Sequence, residues 1–352
     1  MTQSTVSKFI AGAALAAICT GATVSESRAD PVADFYKGRQ INIKVGFGAG
    51  GGYDTTTRII ARFLGQHIPG NPTVIVQNVP GAGSMKAANY LYNAAPKDGT
   101  VLAVFSSSVA VQPLYGNKKA KFVTSKFEWI GSMHTDIQSC GVWKGAGQGI
   151  RTLPDLLAAK KTVIFGATSP ASPTSQYPLF LKNIFGANIK VINGYKGTKG
   201  INLAMQRGEV HGTCGMYESS VRGAFFPSFK SGDLKIFMQV GIDRTVPLFG
   251  DATQVYKMLK TEEQRGIGEL IFRPAEITRP LAAPPGTPKA RVAALRKALL
   301  DVMKDPGFVA AGKKIKVNFK AMSGDRVAEL MAGLYAASPD LLKKAYAATY
   351  NK

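Results

Sequence analysis

Acidic side chains are scarce: 22 Asp and Glu stand against 44 Lys and Arg in 352 residues, a formal net charge of +22. Cysteine occurs three times, too few for a disulfide scaffold. Beyond the N-terminal leader no apolar run reaches eighteen residues, which leaves no candidate membrane helix in the sequence. No G-x-S-x-G or H-E-x-x-H occurs, and no pair of carboxylates is spaced for acid–base work. Like charges never run to five, and no basic block is interleaved with aromatics, so nothing points to nucleic acid. Disorder is excluded by the opposite measure: 45% of residues are apolar and 19% charged.

Residues 1–29 read as a secretory signal. Lys8 precedes the apolar run Phe9 to Cys19, and Ser27-Arg28-Ala29 offers a cleavage site after Ala29. Ile18 is too bulky to precede a lipidated Cys19. The expectation is export to a periplasm, where NAD and ATP are not supplied. The dispersed basic residues are then a solvated lysine-rich surface, or a broad field that draws small anions toward a cleft.

Strand and helix patterns alternate. Ile41–Phe47, Thr73–Gln77 and Val101–Phe105 are β-rich, and Asp54–His67 and Ser84–Ala95 carry helical spacing between them, a βαβαβ series with a parallel sheet. A second α/β series follows from about residue 130: strand-like Glu128–Met133, Cys140–Trp143, Thr162–Ala167, Lys190–Ile192 and His211–Cys214, with helices at Thr152–Ala159, Tyr177–Ile184 and Ile201–Arg207. Leu234–Val240 reads as a strand returning to the first lobe. In the tail, Val292, Leu295, Leu299 and Val302 share one face of a helix opened by Thr287 as cap and Pro288. The expected fold is α/β and two-lobed: lobe I from 30–130 plus 240–352, lobe II from 131–239, with a cleft between them where the strands end.

Gly46-Phe47-Gly48-Ala49-Gly50-Gly51 matches G-x-G-x-x-G between a strand and a helix. A dinucleotide site also wants an acid at the end of the second strand, and that position reads Gln77-Asn78. With export added, the NAD reading falls, and no cofactor is expected. The same glycines suit a smaller anion: Gly48, Gly50, Gly51 and Gly52 expose amides, and the following helix start adds partial positive charge. Asp54 is expected to cap that helix, a structural rather than catalytic role, and is counted with the loop's ligand-binding residues. Hydroxyls of Ser84, Ser106, Ser107, Thr168 and Ser169, with Tyr195, Lys196 and Gly197 from the second lobe, gather at strand exits. Phe47, Tyr53 and Tyr217 are packing residues or ring contacts to the ligand, Tyr53 and Tyr195 having the better case.

His211-x-x-Cys214 with His134 and Cys140 matches no common zinc spacing, and nothing orients a base for a Cys–His nucleophile. Cys140 and Cys214 either pair as a disulfide, which an exported protein permits, or remain two buried thiols; spacing alone leaves both open.

The run Val45 to Asp54 (VGFGAGGGYD), then Asn78-Val79-Pro80-Gly81-Ala82-Gly83, Ala95-Pro96-Lys97-Asp98-Gly99, Gly194-Tyr195-Lys196-Gly197, Gly208-Glu209-Val210-His211 and Ala283-Pro284-Pro285-Gly286-Thr287-Pro288 resemble, in order, the motifs of the extracytoplasmic receptors of tripartite tricarboxylate transporters, the Bug-type solute receptors. The resemblance implies a two-lobed periplasmic binding protein of the type II, Venus-flytrap kind with hinge strands, and not an enzyme. It implies a monomer that grips an organic acid (a di- or tricarboxylate or an aromatic carboxylate) between the first glycine loop and the Tyr195 loop, partly through water, and delivers it to membrane permease subunits. A secreted α/β hydrolase or oxidoreductase, or a sensor feeding no transporter, are the alternatives. Four departures stand out: glycine at 46 and 48 where the family usually has proline, Tyr53 where a small residue is usual, His211 where Asp is common, and a longer, more irregular stretch at 250–275.

Overall fold

A computed structural model describes residues 30–145, 148–241, 245–315, 317 and 319–350. The expected leader lies outside them. The described residues form two six-stranded sheets. The first runs in the order β12-β4-β11-β3-β1-β2, from β1 (Gln40–Val45), β2 (Thr73–Asn78), β3 (Val101–Val104), β4 (Glu128–Ser132), β11 (Pro280–Ala283) and β12 (Met322–Ser323). The second runs β10-β9-β5-β8-β6-β7, from β5 (Gln138–Trp143), β6 (Val163–Ala167), β7 (Ile189–Asn193), β8 (Gly212–Tyr217), β9 (Leu234–Val240) and β10 (Thr253–Gln254).

β1 pairs in parallel with β2 and β3, as the βαβαβ pattern requires, and β11 closes antiparallel against β3 and β4. β3 is the apolar run VLAV, buried throughout because both faces are covered. Ile59, Ile60 and Leu64 bury one face of the helix Gly52–Leu64 against this sheet. The tail helix Lys289–Val302 adds Val292, Leu295, Leu299 and Val302 to the same core, as their spacing predicts. Thr287 does not cap that helix. Its hydroxyl donates to the Pro284 carbonyl, and Pro288 holds the cap position.

Leu234–Val240 does not return to the first lobe. It pairs antiparallel with β5 at the middle of the second sheet, which continues past residue 239 into β10. Cys140 on β5 and Cys214 on β8 are joined by a disulfide between neighbouring strands, with Cα atoms 4.0 Å apart. The last helix, Pro339–Tyr350, packs on Pro173–Phe185 and Glu262–Phe272. Its Tyr350 hydroxyl donates to Gln112 and accepts from Gln176, one glutamine from each half of the molecule.

The chain passes from the first sheet to the second at 133–137 and returns at 277–279, and the two crossings brace each other. The Asp136 amide donates to Thr278 Oγ1 (2.8 Å), the Met133 amide to the Arg279 carbonyl (3.0 Å), and the Arg279 amide to Ser132 Oγ (3.2 Å).

Candidate functional site

Between the two sheets lies a narrow void of about 30 Å³. Three helices begin at its wall: Gly52–Leu64 with Gly51 as N-cap, Pro173–Phe185 with Ser172, and Thr198–Gln206 with Gly197. None is capped by its own N-cap side chain. First-turn amides have no partner within a helix, and each helix start carries roughly half a positive charge, so the wall of the void carries positive potential from three helix starts. Hydroxyls complete the wall. Thr168 Oγ1 donates to Ser172 Oγ (2.8 Å), the Thr168 amide donates to Thr174 Oγ1 (2.9 Å), and Ser106 Oγ hydrogen-bonds Ser108 Oγ (2.7 Å). Gln138, the first residue of β5, also faces the void while accepting from the Tyr177 hydroxyl.

A larger chamber of about 440 Å³ adjoins it, lined by Gly46, Phe47 and Pro80–Gly83 on one side and by Thr168–Pro170 and Asn193–Lys196 on the other. Phe47 and Thr168 line both spaces and divide them.

The two halves touch directly at the glycine loop. The Gly48 amide donates to the Lys196 carbonyl (3.1 Å), and the spot where a side chain on Gly51 would begin is 3.3 Å from the Thr198 hydroxyl. Deeper in, Tyr53 and Tyr217 meet edge to face with hydroxyls 3.4 Å apart. Burial pushes both phenols above their usual range, so both stay protonated at neutral pH and remain donors. Arg279 is fully buried beside their rings, 5.7 and 4.8 Å from the two ring centres, and donates to Ser219 Oγ (2.8 Å). Its nearest counter-charge is Asp136, at 3.9 Å, whose oxygens accept from the Ile137 and Ser219 amides.

The expected ligand residues divide. Phe47, Gly51, Gly52, Tyr53, Ser106, Thr168 and Gly197 line the void; Ser169, Tyr195 and Lys196 line the chamber with Phe47 and Thr168. Gly48 spends its amide on Lys196, and Gly50 spends its own on Asp54 Oδ2 (2.8 Å). Ser84 is fully buried with its Oγ accepting from the Ser106 amide, and Ser107 is buried in the short helix Ser107–Ala110. Tyr217 stands behind Tyr53. Asp54 is not the N-cap. The helix starts earlier, at Gly52, so Asp54 falls at its third position and reaches back to the Gly50 amide.

Asp54 is otherwise held by Arg58 Nε (2.9 Å) and Asn78 Nδ2 (2.8 Å). Replacing it by alanine removes the shared acceptor of three partly exposed donors and should cost about 1–2 kcal/mol of stability, read from urea unfolding. A variant of wild-type stability with weakened ligand binding would instead make Asp54 a ligand contact.

Sequence reasoning missed Gln138, Ser172, Thr174, Thr198 and Gly215 in the void wall. The small-residue stretch Thr168–Thr174 signals a loop at a strand exit, and Gly197-Thr198 a helix start. Gln138 carries no local signal.

Two α/β halves, two strand crossings and a polar seat between the halves define a two-lobed solute-binding protein, the fold of periplasmic binding proteins. The family model "Tripartite tricarboxylate transporter family receptor" matches residues 58–345, starting just after the glycine loop, and the chain belongs to that family. The "UPF0065 protein in gbd 5'region" of Cupriavidus necator is 25% identical over 335 residues, 92% of this chain and 93% of that protein. Among solved structures, the periplasmic binding protein BugD superposes with a TM-score of 0.69 at 20% identity, over 89% of this chain and 98% of that one. MatC from Rhodopseudomonas palustris, solved with bound malate, gives 0.64 at 18% identity, over 86% and 99%. The family consists of solute receptors, not enzymes. Among the described residues no group of three or more His, Cys, Asp or Glu could hold a metal ion, and no helix is long and apolar enough to cross a membrane.

Proposed function

We propose that the protein is exported to the periplasm, captures an organic carboxylate by closure of its two lobes, and hands it to the permease of a tripartite tricarboxylate-type transporter. The observation that carries this reading is the meeting of uncapped helix starts from both lobes, Gly51-Gly52 from one and Ser172 and Gly197 from the other, at a single narrow void. A carboxylate there accepts hydrogen bonds from both lobes at once, so it binds the closed form better than the open one, and that difference drives closure. The Gly48–Lys196 backbone bond exists only while the lobes are together, and the malate bound in MatC is a ligand of this chemistry. The permease reads the closed form.

Melting curves over malate, adipate, citrate, benzoate and the matching amides test the reading. At a hundredfold excess over its Kd a bound acid contributes about 2.7 kcal/mol, a rise of several degrees, and its amide leaves the melt unchanged. A panel in which only neutral compounds raise the melt overturns it.

A further inference from the structure

We infer that the preferred solute is a carboxylate with a flat, apolar body rather than a compact polyanion. The inference rests on the carboxylate seat proposed above and specifies what lies beyond it. The void holds little more than an acid group, so the rest of a ligand must extend past Phe47 and Thr168 into the 440 Å³ chamber. That chamber presents an aromatic ring from each lobe, Phe47 from the first and Tyr195 from the second, with Pro80, Ala82 and Pro170 beside them. Phe47 is backed by Tyr53, stacked at 4.3 Å between ring centres, and Tyr195 packs on the apolar core of the second lobe, so both rings have support. A planar apolar group placed there meets a ring face or edge from each side, and closure brings both to it.

The polar groups of the chamber are few. Lys196 is its one charged lining residue among the described residues and is exposed, where a hydrated ammonium contributes little to binding a second acid. Asn193 is likewise exposed. Ser169 is 6% exposed, and its Oγ has no hydrogen-bond partner. One buried hydroxyl serves one polar substituent on the ligand body. A second or third carboxylate would lose its water there without a buried cation to replace it. Arg279 lines neither the chamber nor the void; it lies behind Tyr53 with Nη2 donating to Ser219.

Calorimetric titration of the mature protein with 3-phenylpropanoate, 3-phenylpropanamide, adipate and citrate tests this, together with Phe47→Leu, Tyr195→Leu and Tyr195→Phe. We expect 3-phenylpropanoate to bind at least about tenfold more tightly than adipate or citrate. Each leucine variant should cut that preference roughly three- to tenfold, the contribution of an aromatic contact, and Tyr195→Phe should retain it. Adipate or citrate binding as tightly as 3-phenylpropanoate overturns the inference, as does a preference unchanged in both leucine variants. The amide binding as well as the acid, with the ring dependence intact, supports the chamber and overturns the anion seat. No binding by any of the four overturns both.

Discussion

Replacing Cys140 and Cys214 together by alanine should lower the stability of the protein by about 4 kcal/mol. The bridge joins two neighbouring strands of the second sheet across 74 residues of chain. Those residues include β6 and β7, the helix Pro173–Phe185 and the helix Thr198–Gln206, so two of the three helix starts at the void lie inside the closed loop. The entropy removed from the unfolded chain by a loop of this length corresponds to about 4 kcal/mol. Both sulfurs are buried, so the folded protein should resist reductant. Two measurements check this. In denaturant without reductant, a chain beginning at Asp30, which lacks Cys19, should show no reactive thiol, and two after reduction. Urea unfolding should give the alanine pair a lower midpoint at similar slope. Ligand affinity, measured well below both melts, should change far less, because β5 and β8 keep their backbone ladder. A loss under 1 kcal/mol would mean that the bridge adds nothing to what that ladder already holds.

Much of this architecture is legible along the chain because it is local. β1, β2 and β3 and the helices between them follow from alternating runs punctuated by Pro69-Gly70 and Asp98-Gly99, and each observed strand lies within two residues of its expected ends. Partner choice is not local. Nothing within Leu234–Val240 tells whether it adds to the first sheet or lies beside β5, since its apolar run suits any buried position. Helix starts made of glycine are hard to read for a related reason. Gly51, Gly52 and Gly197 have neither side chains to cap with nor helix propensity, so the periodic signal begins later and Asp54 looks like the cap. Ser84 reads as a ligand hydroxyl in the sequence, but its residue is left-handed, φ +83°, with the Oγ accepting from the Ser106 amide, a turn that the sequence does not reveal.

Gly46 and Gly48 are required for different reasons. A side chain on Gly46 would begin 2.3 Å from the Ser84 Cβ and 2.9 Å from its Cα, so the close packing of the second glycine turn on the first requires its absence. At Gly48 the need is for a donor: the amide that proline lacks is the one given to Lys196 across the cleft. Tyr53, the third departure, adds a ring to the same loop and backs Phe47. Gly48 and Tyr53 thus give one loop a contact to the other lobe and a supported aromatic wall.

Gly52→Val should separate closure from folding, with the largest effect on binding of any single change considered. Gly52 is the first residue of its helix and needs no unusual backbone there, so the substitution is tolerable within its own lobe. Its nearest obstacle, Ser220, lies across the cleft, and Arg279 stands on the crossing between the lobes. A Cβ would stand 2.4 Å from Ser220 Oγ and 3.1 Å from Arg279 Nη2, and also project at the wall of the void. Rotation of the serine hydroxyl relieves alanine, but the two methyl groups of valine have no such escape, because Arg279 is fixed by Ser219 and two rings. Overpacking of this kind typically costs 1–3 kcal/mol. Falling on the closed state alone, it weakens affinity roughly five- to 150-fold. Under the proposed closure, opening carries Ser220 away from Gly52, and the ligand-free variant should melt within about 2 °C of wild type. At saturating ligand its radius of gyration by small-angle scattering should remain larger than that of the wild type. A variant that closes normally while binding weakly would place the damage in the anion seat, and one that melts far lower without ligand would place Ser220 and Gly52 in contact in every state of the protein, leaving no hinge motion at that point.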